Sequence, residues 1–170
     1  MSLAENALLT AHGRRMVAGG LVRTGEVRTF TQRCIDEFNV KCGGPESEAK
    51  SLSGGNLQKF IVGREILQQP RLLIVAQPTW GVDIGAAAFI RQSLIDLRNA
   101  GTAILVVSEE LEELFEICDR IVVIANGCLS SAKCAKDTDV EEIGVWMSGL
   151  WPGNPHEPAT TQTGGVRYTS

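Results

Sequence analysis

Short apolar runs dominate the second half of the chain. They occupy residues 72–76, 103–107 and 121–125, with the sequences LLIVA, AILVV and IVVIA. Each run is continuously apolar rather than alternating, which is typical of strands buried on both faces of a parallel sheet that helices cover. The runs therefore predict the core of a parallel sheet.

Helical patterns separate these runs. Apolar residues recur at helical spacing between the first and second runs, where Gly101 then stops the pattern, and again before the third run. We expect helices near 54–68, 84–99 and 110–118. Regular alternation of strand and helix predicts an α/β fold with a parallel core.

The chain after the third run has its own turn and helix signals. Asn126 and Gly127 form a strong two-residue hairpin turn. Residues 128–132 are then expected to return as a short strand. A last helix fits residues 140–150, with Asp139 placed as its N-cap.

The two ends of the chain differ from this α/β part, which we assign to residues 51–150. Residues 1–50 contain one clear amphipathic helix near 26–38 and no buried-strand run, which favours a helical subdomain. Residues 151–170 are rich in Pro, Gly, Thr and Ser and lack periodicity. We therefore expect this tail to be disordered.

The composition narrows the functional classes. With 16 basic and 20 acidic residues, the net charge is −4, so the chain lacks the overall basic character of nucleic-acid binding proteins. Its cysteines are odd in number and form no C-x-x-C pair, and His12 and His156 stand far apart, so we expect free thiols and no metal site. No apolar run approaches the ~20 residues needed to cross a bilayer.

The segment SLSGGNLQK, at residues 51–59, is the most informative in the chain. A helix is predicted to follow it, and Ser53 stands where it can cap that helix. Glycines 54 and 55 allow the backbone to come close to a ligand. Because the first N–H groups of a helix are unpaired and its dipole is positive there, such a start suits a phosphate. By itself, the same pattern also fits a simple serine-capped helix.

The longer string L-S-G-G-N-x-Q-K resembles the signature motif of ABC ATPases, and its ending is similar to the second ATPase domain of sugar and nucleoside importers. The resemblance covers roughly residues 2–149. It implies a P-loop NTPase-like (ABC ATPase) parallel sheet with a helical subdomain. Domains of this family pair head to tail, so the motif would bind a nucleotide held by the partner domain. The residues implied are Ser53, Gly54, Gly55 and Asn56.

The end of the first apolar run resembles the Walker B strand of the same family. The carboxylate that helps to hold Mg²⁺ and the glutamate that acts on the attacking water would stand at Ala76 and Gln77. Alanine has no metal-binding group, and glutamine cannot accept a proton from water. Asp83, in P-T-x-G-x-D, stands at the position of the D-loop aspartate at the dimer interface, and it also fits an N-cap of the next helix.

A third resemblance follows the second run. Glu109 stands where active domains usually carry the switch histidine, and a carboxylate there would repel the γ-phosphate. The acidic residues at 110, 112 and 113 fit a solvated first helical turn instead. The resemblance therefore implies a degenerate site of this domain's own, beside an intact signature that serves its partner.

The sequence contains no phosphate-binding loop of the form G-x-x-x-x-G-K-[ST]. The nearest string, at residues 44–51, has Ala49 in place of the second glycine and follows no predicted strand. In the family, this loop precedes the helical subdomain. We therefore expect the chain to be the C-terminal part of a longer ATPase domain.

The implied function is that of an energy-coupling, ATP-binding component of an importer for simple sugars or nucleosides. The full-length protein would hydrolyse ATP with Mg²⁺, whereas the chain alone would be inactive and hold no cofactor. Expected partners are the N-terminal ATPase domain, the transmembrane permease subunits and, indirectly, a substrate-binding protein, at the cytoplasmic face of the cell membrane. The alternatives are a soluble ABC-type ATPase acting on ribosomes or nucleic acid, and a non-catalytic interaction module.

Overall fold

A computed structural model describes residues 1–11 and 16–155 of the chain. The chain divides into two compact units, Met1–Glu110 and Leu111–Ser170. His12 and His156, the residues considered above for a metal site, both lie outside the described part. No helix of the described residues is long and apolar enough to cross a membrane.

The first unit contains helices and two pairs of strands. In chain order its elements are α1 (Leu3–Ala11), β1 (Val17–Ala18), β2 (Leu21–Val22), α2 (Thr24–Glu37), a 3-10 turn (Ala49–Ser51), α3 (Gly54–Ile66), β3 (Leu72–Ala76), α4 (Ile84–Asn99) and β4 (Ala103–Val107). The β1–β2 hairpin is antiparallel. Strands β3 and β4 are parallel, with Leu72 opposite Ala103 and Ala76 opposite Val107, as the first two apolar runs predict.

Helices α1, α2 and α3 enclose the main core of the first unit. Phe60 and Cys34 are fully buried there, and burial raises the pKa of the Cys34 thiol to about 12. Helix α3 passes close to the end of α2 at Gly63, where an added Cβ would lie 2.5 Å from a ring carbon of Phe38. The spacing of these helices therefore depends on the missing side chain at residue 63.

Only one face of the β3–β4 pair is buried, contrary to the expectation of two buried faces. Leu73 is buried and α4 packs along β4. On the opposite face Leu72, Ile74 and Leu105 are 57%, 63% and 52% exposed. The parallel register places Ile74 beside Leu105, so these side chains form a continuous apolar surface that the described residues of this unit leave open. We call the side chains of Leu72, Ile74 and Leu105 the open sheet face.

The second unit consists of two helices and short strands in its described part. Its elements are α5 (Leu111–Ile117), β5 (Arg120–Ile121), β6 (Ile124–Ala125), β7 (Cys128–Leu129), β8 (Lys133–Cys134), a 3-10 turn (Ala135–Asp137) and α6 (Val140–Met147). The predicted hairpin is confirmed, since Asn126 and Gly127 have φ of 51° and 75° and join β6 to β7.

The third apolar run is not a strand of the parallel sheet, which corrects the prediction. It contributes to two short strands, β5 and β6, whose described partners β8 and β7 are both antiparallel. The physical reason is the tight turn at residues 126–127. It folds the chain back at once, so the nearest following residues pair with the run.

Helix α6 closes the core of the second unit. Asp139 is its N-cap, with Oδ1 accepting from the N–H of Glu142 at 2.8 Å, as predicted. Lys133 donates to the Glu142 carboxylate and lies 5.3 Å from the centre of the Trp146 ring. The bond to Lys133 is the main reason why the pKa of Glu142 lies below its ordinary value.

The first residues of the predicted disordered tail are packed. Trp151 is only 4% exposed and joins the core around Ile143 and Trp146. A large aromatic side chain gains enough from burial to order its segment despite the Pro- and Gly-rich composition. The remaining residues, 156–170, lie outside the described part.

Candidate functional site

The start of α3 presents polar groups that are not used inside the helix. Ser53 occupies the N-cap position with extended backbone angles, but its side chain makes no capping bond, which corrects the expected serine cap. Instead, the Ser53 Oγ accepts from the Asn56 Nδ2 at 2.9 Å. The N–H groups of Gly54 and Gly55 have no acceptor among the described residues.

Asn56 is held from the other side by the segment that follows α2. Its Oδ1 accepts from the backbone N–H of Lys41 at 2.8 Å. Asn39, two residues earlier, has a left-handed φ of 48°, which helps the chain to turn there. The start of α3 is thereby fixed to a loop that is distant in sequence.

The start of α4 lies directly against Gly55, the second of the signature glycines. Asp83 caps α4 through a 2.8 Å bond from the N–H of Ala86 to its Oδ1, so the predicted capping role is confirmed. An added Cβ at Gly55 would lie 3.3 Å from the Asp83 Oδ2 and 3.2 Å from the Ala86 Cβ. Glycine at position 55 therefore allows α3 and α4 to begin side by side.

A groove of about 400 Å³ opens over these two helix starts. Lys41 and Lys59 line it with positive charge, Asp83 contributes one carboxylate, and the Lys59 Nζ lies 5.2 Å from the centre of the Phe89 ring. The groove thus combines free N–H groups, a hydroxyl and two ammonium groups. Such an arrangement favours an anion that accepts hydrogen bonds.

A second cluster lies where β3 and β4 end. Gln77 follows β3 with a left-handed φ of 48°, and its N–H donates to the Val107 carbonyl at 2.7 Å. Its side-chain Oε1 accepts from the Ser108 hydroxyl at 3.4 Å. Its carbonyl accepts from Gln58, on α3, at 3.2 Å. The polar groups of Gln77 are therefore largely engaged inside the protein.

Glu109 follows Ser108 on the same edge and is exposed. The structure thus places Ala76, Gln77 and Glu109 at the neighbouring carboxyl ends of β3 and β4, as the sequence predicted. Mg²⁺ does not fit this cluster, because Ala76 offers no ligand and the Gln77 amide oxygen already accepts from Ser108. The described residues contain no group of three or more His, Cys, Asp or Glu that could hold a metal ion.

Sequence reasoning missed two residues of this region. Gln58 stands within the signature string, but nothing in the pattern indicates that it reaches the carbonyl of Gln77. Lys41 acts through its backbone, for which sequence carries no signal. The rejected string at residues 44–51 offers no continuous run of free N–H groups, because the N–H groups of Ser47, Ala49 and Ser51 donate to backbone carbonyls.

Known proteins with sequences similar to this chain are import ATP-binding proteins. The guanosine import ATP-binding protein NupO of Bacillus subtilis is 40% identical over 148 residues, which are 86% of this chain and 29% of NupO. The nucleoside import ATP-binding protein NupA of Lactococcus lactis is 40% identical over 158 residues, 92% of this chain and 31% of NupA. The chain is a homologue of sugar- and nucleoside-import ATP-binding proteins.

The same group includes the galactose/methyl galactoside import ATP-binding protein MglA of Escherichia coli, which is 41% identical over 73% of this chain and 24% of its own length. The chain thus spans less than a third of the length of the curated relatives it matches. No protein-family model matches the chain.

Solved structures show the same fold. An ATP-binding subunit of an ABC transporter superposes with a TM-score of 0.68 at 20% identity, covering 87% of this chain and 62% of that one. An ATP-binding cassette solved as a post-hydrolysis dimer with ADP and Pi gives 0.66 at 20% identity, covering 79% and 57%. The resemblance drawn from the signature string and the ABC ATPase fold class are thereby confirmed.

Proposed function

We propose that this chain is the C-terminal part of the second ATPase domain of an importer for simple sugars or nucleosides, and that its signature helix completes the ATP site of the partner domain. The observation that carries the proposal is the start of α3. There the Ser53 hydroxyl and the N–H groups of Gly54 and Gly55 remain available beside two lysines. These groups match the terminal phosphate of a nucleotide held by another domain.

The chain's own site is degenerate in this proposal. Ala76 and Gln77 supply neither the metal carboxylate nor a base for water, and Glu109 adds negative charge where phosphate charge develops. ATP and Mg²⁺ would be held by the full-length protein, with the phosphate-binding loop of the partner domain facing Ser53. The isolated chain would hold neither.

The same proposal implies which partners this chain contacts. The open sheet face would be covered by the preceding part of the same ATPase domain, since a continuous apolar surface of this kind is rarely left in water. Asp83 would lie at the interface with the N-terminal ATPase domain, in addition to capping α4. Contact with permease subunits would place the protein at the inner face of the cell membrane, with a substrate-binding protein acting indirectly.

The proposal is tested by one pair of substitutions in the full-length protein, reconstituted with its permease. Ser53→Arg should abolish transport and ATP turnover, because a bulky cation fills the groove at the helix start. Gln77→Ala should cost less than about tenfold, since that site already lacks its metal carboxylate and its switch histidine. One phosphate-stabilising contact can be worth ~3 kcal/mol, so we expect a contrast of several orders of magnitude.

The two outcomes that oppose the proposal differ in meaning. Equal losses in both variants would show that the assignment of competent and degenerate sites is wrong. A silent Ser53→Arg would mean that the segment is only the start of a helix, and the importer role would lose its main support.

A further inference from the structure

The orientation of the Asn56 amide is fixed by its neighbours. A backbone N–H can only donate, so the group that accepts from Lys41 must be the amide oxygen of Asn56. The amide nitrogen therefore faces Ser53, at 2.9 Å from its Oγ. No exchange of the two amide atoms would satisfy the bond to Lys41.

This orientation determines what Ser53 does. Because an amide NH₂ group can only donate, the Ser53 oxygen is the acceptor in their bond. A hydroxyl carries a single hydrogen, and that hydrogen is not used toward Asn56. Nor is the oxygen used to cap α3, since Ser53 makes no side-chain cap bond. Among the residues that the structure describes, none accepts the hydroxyl hydrogen, so it is left to donate out of the helix start.

We propose that Asn56 is a positioning residue, which acts through Ser53 by holding its hydroxyl as a hydrogen-bond donor toward an anion that only accepts. This inference rests on the proposed function, in which the anion is the terminal phosphate of a nucleotide. Ionised phosphate oxygens have no hydrogen to give, so a serine that presented its lone pairs would repel them. The hydrogen bond from the Lys41 N–H fixes the Asn56 amide, and the amide in turn fixes the orientation of the Ser53 hydroxyl.

The decisive experiment is a double-mutant cycle in the full-length protein within its transporter, with ATP turnover as the readout. Ser53→Ala should lower kcat about tenfold or more, and Asn56→Leu about threefold to tenfold, since each removes one polar contact. The double variant should be no slower than Ser53→Ala alone, within about twofold, because Asn56 has nothing left to position.

A charge-matched pair tests the direction of the bond. Asn56→Asp keeps an acceptor for Lys41 but takes the hydrogen of Ser53, so it should be slower than Asn56→Leu by about tenfold. Lys41→Gln changes the charge of the groove by the same amount and keeps the backbone N–H. It therefore measures the loss that the change of charge alone causes, and Asn56→Asp should be slower than Lys41→Gln by about tenfold, because only Asn56→Asp redirects the Ser53 hydrogen.

The results separate the two hypotheses. Additive losses in the cycle, or Asn56→Asp no worse than Asn56→Leu, would overturn the positioning role while leaving the site itself intact. A silent Ser53→Ala would overturn both this role and the proposed function. Urea midpoints of the same substitutions, measured in the 170-residue chain, identify a variant that merely unfolds. The loss of turnover in such a variant would also persist in the Ser53→Ala background.

Discussion

The start of α3 and the carboxyl ends of β3 and β4 belong to the same unit, yet their polar groups are used in different ways. At the strand ends, the N–H, carbonyl and amide oxygen of Gln77 all bond to other protein groups. At the start of α3, the N–H groups of the two glycines and the hydroxyl hydrogen of Ser53 remain available. A cluster that satisfies itself is suited to structure, whereas one that keeps its donors free is suited to a ligand.

The contrast between the two clusters would fail most completely if the isolated chain hydrolysed ATP. Purified alone, it should release no phosphate from ATP above a buffer blank. The donors at α3 have no phosphate-binding loop opposite them, and the strand ends lack both base and metal ligand. Steady-state phosphate release from a preparation free of other ATPases would show that the strand ends retain chemistry.

A substitution within the signature should have the next largest effect. In the full-length protein, Gly55→Val should lower turnover about a hundredfold, because its side chain would push α3 away from Asp83 and Ala86. Gly54→Ala is the matched control, since its Cβ would meet only the Gly81 carbonyl, at 3.4 Å. It should cost less than about tenfold. Equal losses would mean that the close approach of the helices is unimportant.

A substitution can lower turnover by destabilising the fold rather than by changing the site. Residue 63, where α3 approaches the end of α2, shows how much helix packing contributes to the free energy of unfolding. Gly63→Ala in this chain should lower the free energy of unfolding by about 1–3 kcal/mol, because the methyl group overlaps the Phe38 ring. Gly144→Ala in α6, where an added Cβ meets nothing, should instead raise it by up to ~1 kcal/mol. Urea denaturation gives both values. A neutral Gly63→Ala would show that α2 and α3 can separate at little cost.

Partial repair of the strand ends should change little. Gln77→Glu in the full-length protein should alter turnover by less than about twofold, because Ala76 still offers no metal ligand and Glu109 still opposes the phosphate. A rise of more than about tenfold would place the strand ends one group short of activity. Adding Ala76→Asp and Glu109→His then measures how many groups are missing.

The smallest effect is expected in the second unit, which contains neither cluster. Because Lys133 holds the folded-state pKa of Glu142 below its unfolded value, this carboxylate contributes stability above the unfolded pKa, and that contribution is lost as pH falls through the folded pKa. Between about pH 6 and about pH 3, the urea midpoint should therefore fall more for the unmodified chain than for Glu142→Gln. Identical falls would show that the ion pair adds nothing.

The apolar pattern predicted which segments are extended or helical, but only part of the strand pairing. All three runs are non-helical, and the first two pair in parallel. The end of the third run instead pairs antiparallel with the strand that follows the turn at Asn126 and Gly127. The turn itself was predictable, since both residues favour positive φ. Partner choice depends on competition between a local hairpin and a distant strand, which a pattern of burial does not encode.

The candidate site shows the same limit at the level of atoms. The string around Ser53 predicted the helix start, and the pattern P-T-x-G-x-D predicted Asp83 as the N-cap of α4, because both follow from local chain geometry. The string around Ser53 also predicted a serine cap, which is wrong, since Asn56 holds the hydroxyl instead. The orientation of Asn56 depends on the backbone of Lys41 in another segment, and such a tertiary bond leaves no trace in composition or spacing.

The open sheet face has a consequence for the life of the protein in a cell. Chaperones and proteases recognise contiguous apolar surface of the kind formed by Leu72, Ile74 and Leu105, whether it belongs to a nascent chain or to a finished one. Copies whose open sheet face is not covered by a partner surface would be bound by chaperones or degraded, and copies that bind such a partner would not. The abundance of this chain would then follow the supply of that partner rather than its own rate of synthesis.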